Sequence, residues 1–283
     1  MKKIFIAILI LAASVAEAQV VTPQPSPAAS VSTVVGLTDV KVDYSRPRTK
    51  GRKIFGEGAD FIVPFGKIWR TGANNGTKIT FSDDVTVEGI KVAKGEYLIF
   101  TWPGATEWTI ALYKDIKLGG DTDSYDKANE VANFKVKPTK QTEKVDMFTV
   151  NITDIADNNK TGKVELAWEN TSVKFAIGVD YDAKVMKSIE TSTKVAPGNY
   201  ANAAIYYAEN GKDLNQALVW INEAIKINPK AFWYIHQKAK IQAKLGDVKG
   251  ARETANESIR LAKENGNDFG YVKLNEDFLK TLK

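Results

Sequence analysis

The chain has 283 residues, a formal net charge of +5, 43% hydrophobic residues, one histidine and no cysteine. Without cysteine it has no disulfide, no thiol nucleophile and no lipid attached through an N-terminal Cys. The single histidine, His236, excludes a Ser–His or metal–His centre elsewhere, and a mild basic excess without a continuous basic stripe argues against nucleic acid.

Residues 1–18 read as a secretory signal. Lys2 and Lys3 form the charged start, Ile4 to Ala13 the apolar run, and Ala16-Glu17-Ala18 the small-residue cleavage site before Gln19. The apolar run is too short to span a bilayer, which takes roughly 20 residues. The expected mature protein is therefore periplasmic or secreted, and soluble. Residues 19–30, rich in Pro, Ser and Ala, read as an extended leader.

From residue 31 to about 179, within a domain expected to span 31–188, the chain alternates with period two in short segments. Val40/Val42/Tyr44, Ile79/Phe81, Leu98/Phe100/Trp102, Trp108/Ile110/Leu112, Phe148/Val150/Ile152, Val164/Leu166/Trp168 and Val173/Phe175/Ile177 are the clearest. Turn signals such as Glu88-Gly89, Lys94-Gly95 and Pro103-Gly104 separate them. Nine or ten short strands without intervening helices predict an antiparallel β-sandwich or barrel-like domain.

Past Ser188 the period changes to that of amphipathic helices, over 200–210, 214–227, 232–245, 248–264 and 271–282. Asp213/Asp247, Ala217/Ala251, Ala224/Ser258 and Ile225/Ile259 recur 34 residues apart. That spacing, with small residues where helices must approach, resembles tetratricopeptide repeats, so 196–283 is expected to form a short helical repeat domain. In that register Asn199, Asn202, Tyr206, Trp233, His236, Lys240 and Lys244 would line the concave side and could hold an acidic peptide end.

Candidate ligand residues concentrate in the first half. Tyr44 to Gly56 holds five cations and no acid: Arg46, Arg48, Lys50, Arg52 and Lys53. Charge segregated in this way can draw an anionic partner to one face, and Arg offers paired donors to planar oxyanions. Trp69-Arg70-Thr71-Gly72-Ala73-Asn74-Asn75-Gly76 follows, a turn in which Arg70 and Asn74 could line the same pocket. Trp69, Trp102, Trp108 and Trp168 could stack on sugar rings, although the last three are in phase with core positions. The acidic loop Gly119 to Asp126 lacks the ligand pattern of a calcium loop, Ser124-Tyr125-Asp126-Lys127 matches only a short Ser-x-x-Lys pattern, and no motif implies a metal or another cofactor.

Five motifs carry a family resemblance: Tyr-Ser-Arg-Pro (44–47), Lys-Gly-Arg-Lys-Ile-Phe-Gly (50–56), Lys-Ile-Trp-Arg-Thr-Gly-Ala-Asn (67–74), Gly-Glu-Tyr (95–97) and Leu-Ala-Trp-Glu-Asn-Thr (166–171). In that order they resemble the exported bacterial proteins of domain-of-unknown-function family 2911. The resemblance implies a secreted β domain, with a helical tail in members of this type, and brings no catalytic residue. The segment Glu57 to Ile62 is longer than the usual link of that family. The expected function is a binding or adaptor module that recognises an anionic or glycan ligand through the basic loop and docks a protein at the helices. Two alternatives stand beside it: an envelope carbohydrate hydrolase using carboxylates, and a structural module with no specific ligand.

Overall fold

The structure, a computed structural model, describes residues 22–192 and 197–283. The signal sequence and the start of the leader lie outside the described residues. The chain divides into two compact units, residues 1–180 and 181–283. It is β-rich first and helical after, and its sheets do not close into a barrel.

The first unit begins with β1 (Ala28–Val35), which starts inside the stretch read as leader, followed by β2 (Thr38–Ser45), β3 (Phe55–Gly56) and β4 (Val63–Pro64). Next come β5 (Thr77–Phe81), β6 (Val85–Val87), β7 (Ile90–Val92), β8 (Gly95–Trp102) and β9 (Trp108–Tyr113). β10 (Glu130–Val136), β11 (Thr139–Thr153) and β12 (Thr161–Val179) complete it. One antiparallel sheet runs β1-β2-β5-β8-β9-β10 and a second runs β11-β12-β6-β7, while β3 and β4 form a small parallel pair.

Alternation explains most of this unit. Val40, Val42, Ile79, Ile110 and Leu112 of the larger sheet are buried, as are Phe148, Val150, Val164, Leu166 and Trp168 of the smaller. In β12 the buried positions change parity, from 164, 166 and 168 to 173, 175 and 177. Glu169 causes the switch: its φ of +54° marks an irregularity where β11 and β12 lose register. Across this stretch the surplus residues lie on β11, and beyond it the side chains of β12 point to the opposite face from before. The two segments read from the sequence are thus one long strand.

In β8 both faces are buried. Tyr97 and Ile99 pair with Ile79 and Thr77, whereas Leu98 and Phe100 pack with Tyr113 in a second cluster roofed by Leu118 and Tyr125. The expected core trio Leu98, Phe100 and Trp102 therefore faces away from the main core. Leu118 and Tyr125, arriving from the 116–125 segment, cover part of that face.

The second unit comprises α1 (Asp182–Ser192), α2 (Pro197–Glu209), α3 (Leu214–Ile227), α4 (Phe232–Lys244), α5 (Val248–Glu264) and α6 (Tyr271–Thr281). Asp213 and Asp247 cap α3 and α5 by accepting from backbone N–H groups of the first turn. Helices α2 with α3 and α4 with α5 pack through alanines, among them Ala204, Ala217, Ala224, Ala239, Ala251 and Ala255, all fully buried. The absence of side-chain bulk is what lets the backbones approach. α1 falls in a stretch read as the end of the β domain and a link. It is held by the Asp182 carboxylate, which accepts from the Tyr206 hydroxyl and pairs with Lys212 at 3.0 Å.

Candidate functional site

The basic segment does not leave its cations free as a group. Leaving β2, the chain crosses to β11, where the Phe148 N–H donates to Pro47 O and the Thr49 N–H to Asp146 O. Arg46 follows, donating from Nε to Phe148 O at 3.2 Å and from Nη2 to Thr149 Oγ1 at 2.8 Å. Arg52 donates to Thr49 O and Arg48 O, closing its own turn. Arg48 lies 3.5 Å from Asp146. The Thr49 hydroxyl, and then the Arg48 charge, hold the Asp146 carboxyl below the usual range. Lys53 sits over the Phe61 ring, and Lys50 is exposed at a left-handed turn. Arg46 and Arg52 mainly bind backbone carbonyls, which fixes the loop.

The aromatic members of these motifs are interior. Trp69 is 8% exposed, donates Nε1–H to Gly72 O at 3.1 Å, and stacks on Trp168 at 5.8 Å. Phe55 meets Trp69, Trp108 and Trp168 edge-on. Tyr44 packs edge-on against Phe148 and donates its hydroxyl to Val150 O. Gly72 has φ +136°, and a Cβ there would lie 3.1 Å from both Ser45 O and Thr77 Oγ1, so this turn needs glycine.

Arg70 and Asn74 brace the same turn. Arg70 donates to Asn74 O at 3.1 Å, and a side chain on Gly120 would collide with both groups. Asn74 donates to Ser45 Oγ and Ser26 O. The turn is thereby locked against the Gly119-Gly120 loop, and together they form one wall of a trough.

That trough, of about 850 Å³, lies on the outer face of the larger sheet. Cross-strand register sets its floor: Ser30 pairs with Asp43, Asp43 with Lys78, and Lys78 with Leu98. Directly opposed residues share a face, so four strands supply one row. Lys117, Leu118 and the glycine loop form the far wall, with Ser45 and Asn75 at the rim. Partial burial acts to raise the Asp43 pKa. Hydrogen bonds from Lys41 and Ser30 and the charges of Lys41 and Lys78 outweigh it and hold the group ionised below its ordinary range. Lys78 also bonds Glu96 at 3.0 Å. Of the residues expected to bind ligand, Tyr44 lines this trough and Arg70 and Asn74 support its wall; Arg46, Arg48, Lys50, Arg52, Lys53 and Trp69 are not among its lining residues.

The helical residues separate in a similar way. His236 is 8% exposed, and its Nδ1 lies 2.8 Å from Asn275 Oδ1. Asn275 uses its amide nitrogen to donate to Ser258 Oγ and Tyr271 O, and Ser258 donates to Phe232 O. The amide oxygen therefore accepts from a protonated Nδ1, a relay that ties α4, α5 and α6 together. His236 is an interior group. Lys244 donates to Ala208 O, Lys240 pairs with Glu209 at 3.9 Å, and Tyr206 holds Asp182. Trp233 is half-buried and Asn202 exposed.

The model of the family described as proteins of unknown function (DUF2911) matches residues 26–177. The chain belongs to this family. The match spans the β unit nearly end to end and stops before the first helix. No curated protein and no solved structure matches the chain. Among the described residues no cluster of His, Cys, Asp and Glu could hold a metal ion, and no helix is long and apolar enough to cross a membrane. Sequence reading did not assign Ser30, Asp43 or Lys78 to a site, and read Gly119-Gly120 only as the start of an acidic loop. For the three strand residues the only signal was the polar half of an alternating strand, which looks like ordinary solvent-facing surface.

Proposed function

We propose that this is an exported binding protein whose β unit holds a saccharide in the outer-face trough and whose helices, read as tetratricopeptide-like, dock a protein partner. The observation that carries the reading is the row Ser30–Asp43–Lys78–Leu98 beneath the glycine wall. Sugar hydroxyls both donate and accept, which suits a carboxylate, an ammonium, a serine and an amide over an apolar patch. A purely anionic ligand would instead meet the ionised Asp43. Glycoside hydrolysis ordinarily uses two flanking carboxyl groups, and among the described residues Asp43 is the sole acidic one lining the trough, which favours binding over catalysis.

The test is retention of the full chain on a glycan array. Asp43→Asn and Lys78→Ala should each weaken retention about tenfold, near 1.4 kcal/mol, with the melting temperature unchanged. Equal retention by both variants would remove the trough from the function. For the helices, crosslinking in the envelope should recover a partner; recovery of none favours the reading in which they serve only as structure.

A further inference from the structure

A second, smaller pocket of about 300 Å³ opens at the end of the β unit. The Gly104–Ala105 turn between β8 and β9, the Pro138–Thr139 crossover into β11, and Phe55 and Phe65 enclose it. Trp108 and Phe55 give it aromatic walls with centroids 4.9 Å apart. Its polar lining residues are Thr139, Lys140, Asn170 and Thr171, and among the described residues no aspartate or glutamate contributes. Lys140 and Thr171 are cross-strand partners, so ammonium and hydroxyl come from adjacent strands.

Irregularities converge on this pocket. The irregularity at Glu169, with φ +54°, directly precedes Asn170 and Thr171, and the β11–β12 register breaks just after Lys140. Bulges re-aim side chains, and they concentrate beside functional sites. A buried polar atom without a partner, Trp108 Nε1, belongs to one of the lining residues. The indole N–H lies inside the wall, out of reach of water. An acceptor that meets it after a small displacement of the wall removes the cost of an unmet buried donor.

We propose that this pocket binds an organic carboxylate with a flat apolar body, its body against Phe55 and Phe65 over the buried Trp108 and its charge at Lys140 and Asn170. A cation with neutral donors and no anion selects a carboxylate head, and the small volume limits the body to about one ring. Such a group could be a free aromatic acid or the C-terminal residue of a chain.

Benzoate titrated into the ¹⁵N-labelled full chain tests this, with the Trp108 indole resonance assigned through Trp108→Phe. A saturable shift with a roughly millimolar Kd is expected, as suits so small a ligand. Lys140→Gln with Asn170→Ala should weaken it at least tenfold, and uncharged benzamide should bind at least tenfold more weakly than benzoate. A Trp108 indole signal that stays still, or equal binding of benzamide, overturns the proposal. Tighter binding of an acetylated tripeptide ending in phenylalanine assigns the pocket to chain ends, and tighter binding of benzoate assigns it to free acids. Lys78→Ala leaves this response intact, so failure at the trough and failure here are read separately.

Discussion

The two units bury their interiors with opposite materials. The β unit fills the space between its sheets with rings: Tyr44, Phe55, Trp69, Trp108, Phe148 and Trp168 form one connected aromatic cluster. The helical unit places Ala204, Ala217, Ala224, Ala251 and Ala255 where backbones meet, with Ile221, Phe232 and Ile241 filling the space around them. Close packing penalises both missing and excess volume, so each unit should be sensitive to the change that the other tolerates better. Polar groups follow the same division. In the β unit, arginines reach across to backbone carbonyls of a distant strand. In the helical unit, a closed relay of histidine, asparagine and serine does comparable work.

The largest effect that tests this contrast is Trp69→Ala. It removes a ring stacked on Trp168 and leaves Gly72 O without its indole donor, so a loss of about 3–5 kcal/mol is expected. Calorimetry on the full chain should show one transition shifted and the other in place. If both shift together, the units do not unfold separately and the contrast loses its meaning. Next comes Ala224→Leu, which pushes a larger side chain into the α2–α3 contact at a cost of about 1–3 kcal/mol. It should move the other transition. A tolerated leucine would mean that the helices separate easily and the alanines reflect composition alone.

Much of this architecture was visible before any coordinates. Period-two segments placed most strands, and amphipathic periodicity placed α2 to α6. Three features were not visible, each for a physical reason. The parity change at Glu169 joins two apparent strands, because a phase shift between 168 and 173 reads equally well as a break between strands. Burial of both faces of β8 depends on Leu118 and Tyr125 arriving from a later loop. α1 was missed because its ends carry no strong stop signal. For the site, charge was legible and its disposition was not: Arg46 looked like ligand-binding surface, yet its partners lie about one hundred residues away on β11. Conversely, Asp43 and Lys78 looked unremarkable, since only sheet order sets them beside Ser30 and Leu98.

The smallest expected effect concerns pH and sharpens the polar side of the comparison. Burial pushes the His236 pKa down and Lys240 adds to that, while the Asn275 hydrogen bond opposes them. Tyr271 and Phe278 pack edge-on against the ring, and neither offers a countercharge. The folded state thus holds the imidazole neutral to a lower pH than the unfolded chain, whose ordinary value is about 6.5. Below that value the unfolded chain binds a proton that the folded one refuses, so stability falls as pH drops and levels off beneath the depressed folded value. His236 is the single histidine, and carboxylates begin to titrate only toward pH 5, so in the window from about pH 6.5 to 5.5 the slope belongs mainly to this group. Melting of the helical transition should therefore decline across that window while the β transition stays level, and His236→Gln should flatten the decline. A decline shared by both transitions, or retained without the imidazole, would show that the relay is not what sets the acid response of the helical unit.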